Sequence, residues 1–132
     1  MSRSGATVLI VDDNSLIRGM LRSFLERNSE LNVCGEAADG VDAVEKANVL
    51  KPRLILMDLA MPRMNGLQAA VAIKRAMPEA RIVMFTLHSE AVGKLTEHNS
   101  GVDLVVSKSD GLDGLLRALQ VYLRKDDSQA VH

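Results

Sequence analysis

Short apolar runs alternate five times with longer segments of helical periodicity, and this alternation constrains the fold more than any other feature of the 132-residue sequence. The runs are Val8–Val11, Val33–Ala37, Leu54–Met57, Ile82–Phe85 and Leu104–Val106. Each run has the length of a strand and is mostly apolar on both faces, as buried parallel strands are. The pattern predicts an α/β fold, a three-layer (βα)5 sandwich in which right-handed crossovers place helices on both faces of a parallel sheet.

The segments between the runs predict the helices and their limits. We expect the first helix to begin after Asn14, an N-cap candidate, and to carry Arg18 and Arg22 on its polar face. Pro52 and Pro78 end the second and third helices, because proline cannot continue a helix beyond its first turn. The buried face of the first helix is predicted to consist of Leu16, Ile17, Met20, Leu21, Phe24 and Leu25.

The last two helical segments differ in regularity. The fourth, within residues 89–99, is interrupted by a glycine and a threonine, so we expect it to be the softest element. The fifth carries leucines at helical spacing, and we predict Arg124 and Lys125 in its last turn, where cations suit the helix dipole. The chain is therefore predicted to form one domain over residues 1–126, followed by a flexible C-terminal tail over residues 127–132.

Composition excludes several classes of protein. Apolar residues make up 47% of the chain and charged residues 25%, which is typical of a folded domain. A net charge of −1 provides no positive field for nucleic acid or an anionic membrane, so we expect no direct binding to either. Cys34 is the only cysteine, which rules out an intrachain disulfide and fits a cytoplasmic location. The apolar runs are far too short to cross a membrane.

Polar side chains stand at or just after the ends of four of the five runs. The carboxyl ends of parallel strands meet at one edge of a sheet, where open α/β sheets bind their ligands. Taken singly, each residue has an ordinary explanation, such as helix capping or an Asx turn, but their coincidence at four strand ends favours a functional site. The residues are Asp12, Asp13, Asp58, Thr86 and Lys108.

The residue types in this set point to metal-assisted phosphoryl chemistry. Unit charges about 4 Å apart interact by roughly 4 kcal/mol near a protein surface, so three clustered carboxylates repel one another. Lys108 supplies one compensating charge, and Mg²⁺ would supply the rest while leaving positions open for phosphate oxygens. In such a site a carboxylate can form an aspartyl phosphate, Thr86 can donate to a phosphoryl oxygen, and Lys108 can offset developing charge.

Four features of the sequence together resemble the receiver domains of two-component response regulators. They are the run Val8–Asp13, the segment Leu56–Gly66, Thr86 after an apolar strand, and Lys108. Each motif alone is weakly specific, whereas the ordered set with these separations is highly specific and covers nearly the whole chain. The resemblance implies a flavodoxin-like parallel sheet of order 2-1-3-4-5.

The resemblance also implies a function, that of a phosphorylation-dependent signalling switch and not of an enzyme that turns over external substrate. Asp58 would accept a phosphoryl group from a phosphohistidine on a sensor histidine kinase or a histidine phosphotransfer protein. Mg²⁺ would be held by Asp13, Asp58 and the backbone carbonyl of Ala60, and Asp12 would act mainly through metal-bound water.

In the family to which the resemblance points, Lys108 would pair with the phosphoryl group and Thr86 would move toward it, which would bias the region of the fourth helix between two states. Three positions depart from the family pattern. Val105 stands where an aromatic ring commonly reports the switch, Leu87 where a small residue generally follows the threonine, and Ser109 where proline is common. The bulk of Leu87 could narrow access for a phosphoryl group, and no ring at position 105 can report the switch.

Three other functions remain to be compared with this one. A haloacid-dehalogenase-like phosphohydrolase would have a second aspartate two residues after the nucleophile, where this chain has Ala60. A flavodoxin-like cofactor binder would cradle phosphate after strand one, where Asp12 and Asp13 repel anions. The third is a receiver-like interaction module that no longer depends on phosphorylation. Because no residues remain after the fifth helix for an effector domain, the expected output is a downstream protein contact, onward phosphotransfer, or an effector domain absent from this sequence.

Overall fold

The computed structural model describes residues 5–90, 93 and 101–130. Within this part of the chain there are five strands: β1 (Ala6–Val11), β2 (Leu31–Ala37), β3 (Leu54–Met57), β4 (Arg81–Thr86) and β5 (Leu104–Ser107). They form one parallel sheet in the order β2-β1-β3-β4-β5. The α/β class and the strand order are therefore confirmed.

Helices cover both faces of this sheet. They are α1 (Ser15–Glu26), α2 (Gly40–Leu50), α3 (Gly66–Ala76) and α4 (Gly111–Ala130), and a 3-10 turn, Lys108–Asp110, leads from β5 into α4. One apolar core lies between the sheet and the pair α1 and α4, and contains Leu21 and Leu119; the other lies between the sheet and the pair α2 and α3, and contains Ala47 and Ile73. The three layers predicted from the sequence are thus present.

Local sequence signals fix where the helices begin and end. The side chain of Asn14 accepts hydrogen bonds from the N–H groups of Leu16 and Ile17 at 2.9 and 3.1 Å, which confirms the predicted N-cap of α1. Helix α2 ends at Leu50, and the next residue, Lys51, has a left-handed backbone (φ 51°) directly before Pro52. The start of α1 and the end of α2 are therefore set by the residue types at these positions.

Strand β2 contains one extra residue where it pairs with β1. Val8 lies opposite Val33, but Leu9 lies opposite Gly35, so Cys34 forms a β-bulge. The Cys34 Sγ donates to the Val8 carbonyl oxygen (3.4 Å), and burial raises the pKa of this thiol. The bulge lies two residues before Glu36.

The structure corrects one expectation about the first helix. Leu16 and Met20 are 76% and 55% exposed, because the buried stripe of α1 runs through Leu21 and Leu25 and these two residues lie beside it. At the other end of the chain, α4 continues to Ala130, so the backbone of residues 127–130 is helical.

Two further features of the predicted helices need a statement of place. Arg124 and Lys125 lie before the last turn of α4 and not in it, since no glycine or proline ends the helix after them. The predicted fourth helix has helical backbone at Ser89, Glu90 and Gly93, and the rest of residues 89–99 lies outside the described part of the chain. None of the helices described is both long and apolar enough to cross a membrane.

Candidate functional site

The carboxyl ends of β1 and β3 bring three aspartates together. One carboxylate oxygen from each of Asp12, Asp13 and Asp58 lies within 4.8 Å of the others. Asp12 is buried, with 3% of its surface exposed, Asp58 is half-buried and Asp13 is exposed. These two strands are adjacent in the sheet, which is why residues more than forty positions apart in sequence meet here.

A lysine from the next residue after β5 reaches the same cluster. Lys108 Nζ donates to Asp12 Oδ2 (3.1 Å) and to Asp58 Oδ2 (3.3 Å). Burial lowers the pKa of Lys108, but the hydrogen bond to Asp12 and the charges of both carboxylates outweigh it, so the net pKa is raised. The lysine therefore stays charged at neutral pH.

The remaining oxygens of Asp12 and Asp58 are held by the backbone. Asp12 Oδ1 accepts the N–H of Asn14 (2.9 Å), and Asp58 Oδ1 accepts the N–H of Leu59 (2.8 Å). Each of these carboxylates therefore has one oxygen fixed by a main-chain donor and the other directed at the ammonium group. This arrangement sets the planes of both carboxylates before any ligand arrives.

The charges and donor atoms of the cluster fit a divalent cation. Three carboxylates face one ammonium group, which leaves two negative charges uncompensated when all are ionised. Carboxylate oxygens are the ligands that Mg²⁺ prefers in proteins. Ala60, the predicted donor of a carbonyl ligand, is exposed in the loop that follows β3, two residues after Asp58.

Thr86 lies at the same edge of the sheet, buried at the end of β4. It pairs with Ser107, the residue before Lys108. Its Oγ1 accepts the N–H of His88 (3.1 Å), so the hydroxyl oxygen is engaged by its own turn. Next to it, the Leu87 side chain is 69% exposed and extends into solvent.

The loop after β3 folds back over the Asp58 backbone. The Gly66 N–H donates to the Leu59 carbonyl oxygen (2.8 Å), and a Cβ at Gly66 would lie only 2.3 Å from the Asp58 carbonyl oxygen. Glycine is therefore needed at this position for steric reasons. Farther along the loop, Arg63 donates two hydrogen bonds to the Asp39 carboxylate, at 3.0 and 3.1 Å, and so attaches the loop to the start of α2.

Arg18 also contacts the site, although nothing at this position of the sequence predicts that role. Its guanidinium Nη1 donates to the main-chain oxygen of Asp12 (2.7 Å), although helical periodicity placed Arg18 on the polar face of α1. A signal was present in β2, where Glu36 is a lone carboxylate in an otherwise apolar run. A charge at such a position calls for a cationic partner on a neighbouring element.

Comparison with known proteins agrees with this architecture. A family model described as "Response regulator receiver domain" matches residues 8–120. The response regulator protein VraR of Staphylococcus saprophyticus is 38% identical over 113 residues, which cover 86% of this chain and 54% of that protein. The chain thus spans about half the length of this curated relative.

Solved structures of similar fold carry related descriptions. A two-component response regulator of the LuxR family from Aurantimonas sp. SI85-9A1 has a TM-score of 0.84 and 30% identity, over 92% of this chain and 87% of that one. The response regulator domain of Thermotoga maritima CheB has a TM-score of 0.77 and 29% identity, over 97% and 98% of the two chains. With the family match covering most of its length, the chain belongs to the response regulator receiver domains of two-component systems.

Proposed function

We propose that this domain is a phosphorylation-dependent signalling switch that accepts a phosphoryl group on Asp58 in a Mg²⁺-dependent reaction. The observation that carries the proposal is the contact of Lys108 with Asp58 inside a cluster of three carboxylates. Such a cluster is costly for a protein to maintain, because like charges repel. A cost of this kind is typical of functional sites.

Asp58 is the best candidate for the phosphoacceptor among the three aspartates. Lys108 contacts Asp12 and Asp58 but the side chain of Asp12 is only 4% exposed, against 13% for Asp58. Asp13 is accessible, yet the ammonium group makes its contacts with the other two carboxylates. Only Asp58 combines solvent access with a neighbouring cation that can offset charge on an incoming phosphoryl group.

The transfer follows from these positions. A carboxylate oxygen of Asp58 attacks the phosphorus of a phosphohistidine, the new O–P bond forms as the P–N bond breaks, and the released imidazole nitrogen takes a proton from solvent. The Lys108 ammonium group, which donates to Asp58 Oδ2, would lie beside the phosphoryl oxygens on which negative charge accumulates. The donor would be a sensor histidine kinase or a histidine phosphotransfer protein, since both present a phosphohistidine.

The metal would be held by Asp13, Asp58 and the carbonyl oxygen of Ala60, and Asp12 would act on it mainly indirectly. When bound, Mg²⁺ neutralises negative charge on the carboxylates and phosphoryl oxygens, and so lets the two anionic groups approach. The residues around it then keep their own tasks: Asn14 and Leu59 amides fix two of the carboxylates, and Lys108 binds the phosphoryl oxygens.

Thr86 is suited to signal the modified state. Its hydroxyl oxygen accepts a hydrogen bond from the His88 N–H, while its proton is available to a phosphoryl oxygen. A rotation or shift of Thr86 toward that oxygen would break the contact with His88 and disturb the turn that precedes the helical residues at 89 and 90. We propose that residues 1–126 form the receiver unit. Its change of state would be recognised by a downstream protein, or by a further domain that accounts for the additional length of the relatives.

The test is intact mass spectrometry after incubation with Mg²⁺ and acetyl phosphate. The wild-type protein should gain the mass of one phosphoryl group, lose it in hydroxylamine as acyl phosphates do, and gain nothing in EDTA. Asp58→Asn should gain nothing, whereas Asp113→Asn, which removes an exposed carboxylate in α4, should behave as wild type.

The same experiment separates the rival functions. Continuous consumption of varied phosphoesters would indicate a hydrolase. Failure to gain mass even with a panel of phosphorylated histidine kinases would favour an interaction module that does not depend on phosphorylation. Equal labelling of Asp58→Asn would show that another residue is the acceptor.

A further inference from the structure

Arg18 ties the loop that carries two of the aspartates to strand β2. Its Nη1 donates to the main-chain oxygen of Asp12 (2.7 Å), and its Nε donates to Glu36 Oε1 (3.1 Å). The side chain is only 18% exposed although it belongs to a helix at the surface. A guanidinium group can make both bonds at once because its donors lie in a rigid planar fork.

A second arginine holds Glu36 in place. Arg22, one turn farther along α1, donates from Nε to Glu36 Oε2 (3.0 Å) and also forms an ion pair with Glu26 (3.6 Å). Two arginines and two glutamates balance one another in charge. Because this balance is local, the effect of Arg18 on the aspartates is chiefly geometric.

The main-chain groups of Asp12 are consequently fixed on both sides. The Asp12 N–H donates to the Ala37 carbonyl oxygen at the end of β2 (3.1 Å), and its carbonyl oxygen is held by Arg18. The peptide unit between Asp12 and Asp13 is planar, so fixing its oxygen fixes the direction in which the chain enters Asp13. Asp13 is the exposed member of the carboxylate cluster, so the fixed peptide unit limits where its side chain can lie.

We propose that Arg18, held by Glu36, is a positioning residue that sets the Asp12–Asp13 peptide for binding of a divalent cation. This inference rests on the proposed function, since it assigns residues toward the same cation. Groups that orient metal ligands typically change affinity by 10- to 100-fold when removed. Arg18 is assigned no contact with the substrate or the cation.

The chain offers a matched pair of variants that isolates this role. Arg18→Met and Arg22→Met each remove one arginine from Glu36, but only Arg18→Met releases the Asp12 carbonyl oxygen. We expect the Kd for Mg²⁺, measured by calorimetric titration with MgCl₂, to rise by about tenfold or more in Arg18→Met. Arg22→Met should stay within about twofold of wild type.

A second readout does not depend on the cation. In the ¹⁵N NMR spectrum of the metal-free protein, Arg18→Met should shift or broaden the amide signal of Asp13, and Arg22→Met should leave it in place. Arg18→Lys keeps the charge but cannot make both bonds, so it should give a Kd between those of wild type and Arg18→Met. Should Arg18→Met fail to fold, Arg18→Lys and Glu36→Gln carry the same test.

The outcomes distinguish this inference from the function on which it rests. If wild type binds no Mg²⁺, the proposed function fails, and the NMR shift at Asp13 still decides whether Arg18 positions the loop. If wild type binds Mg²⁺ and the two methionine variants bind equally well with unchanged Asp13 signals, the positioning role is overturned.

Discussion

Lys108 offsets part of the negative charge of the carboxylate cluster. It contacts two carboxylates, and these contacts keep its pKa raised despite burial. On the proposed function, the ammonium group and a divalent cation would compete for the oxygens of Asp12 and Asp58. We therefore expect the lysine to weaken cation binding.

Replacement of Lys108 should separate these two effects. In Lys108→Met the uncompensated charge of the cluster rises from two to three, so we expect Mg²⁺ to bind about fivefold more tightly or better. Phosphorylation of Asp58 should fall sharply, because no cation then lies beside the transferring oxygens. Calorimetric titration and intact mass measure the two quantities. The control is Lys74→Met, which removes a lysine that pairs with Asp103 (2.8 Å) outside the cluster. Unchanged Mg²⁺ affinity in Lys108→Met would show that the lysine does not compete with the cation.

Single residues also show what the sequence could and could not reveal. The proximity of the three aspartates and Lys108 was predictable, because residues that follow parallel strands meet at one edge of the sheet. Arg18 was not, because periodicity assigns a residue to a face of its own helix and says nothing about the carbonyl that a long side chain can reach. The predicted burial of Leu16 was wrong for a related reason, since the apolar stripe of α1 is wider than the surface that the sheet covers.

At the scale of elements, two glycines in helices have opposite surroundings. A Cβ at Gly40, the first residue of α2, would lie 2.1 Å from the main-chain oxygen of Met64 in the loop after β3. A Cβ at Gly19, within α1, would meet nothing within 4 Å. Close packing of backbone on backbone therefore joins α2 to the loop that follows Asp58, and α1 has no such contact at Gly19.

This difference predicts alanine substitutions of opposite sign. Gly19→Ala should raise the free energy of unfolding by about 0.5–1 kcal/mol, because alanine loses less backbone entropy in a helix. Gly40→Ala should lower it by about 1–3 kcal/mol, because the Met64 backbone must move. Urea denaturation followed by circular dichroism measures both, and a Gly40→Ala protein as stable as wild type would show that the loop yields without cost.

Element limits were predictable where a residue type decides them. Asn14 begins α1 because its side chain caps the free N–H groups, and Pro52 follows the end of α2 because proline cannot continue a helix. Both predictions agree with the structure. The end of α4 was not, because charged residues after Lys125 give no stop signal and the helix simply continues. The bulge at Cys34 was equally hidden, since an apolar run reads the same with or without one extra residue.

At the scale of the whole molecule, the carboxylate cluster lowers the free energy of unfolding. Three carboxylates within 4.8 Å disfavour the folded state relative to an unfolded chain in which they are far apart. The rest of the fold compensates with two apolar cores that bury every residue of β3 and most of β1. A domain of this kind should become more stable when one of the charges is removed.

Asp13→Asn tests that expectation, since the Asp13 side chain is exposed. In EDTA the variant should have a higher Tm than wild type, with a gain of the order of 1 kcal/mol in the free energy of unfolding. Mg²⁺ should raise the Tm of wild type but leave that of the variant nearly unchanged, because the cation then loses a ligand. Differential scanning calorimetry with and without Mg²⁺ gives both values. A lower Tm for the variant in EDTA would show that the carboxylate cluster does not destabilise the fold.

The β-bulge at Cys34 decides which way the rest of its strand faces. Before it, Leu31 and Val33 point toward α1; after it, Ala37 points toward α2 and α3, and Glu36 toward α1. In a regular strand the parity would be the reverse, and the carboxylate would lie on the far side of the sheet from its arginines. The facing of residues 35–37 therefore depends on Cys34 staying out of the regular pairing: if Cys34 took a regular place opposite Leu9, the two faces of the sheet would be exchanged over the next three positions.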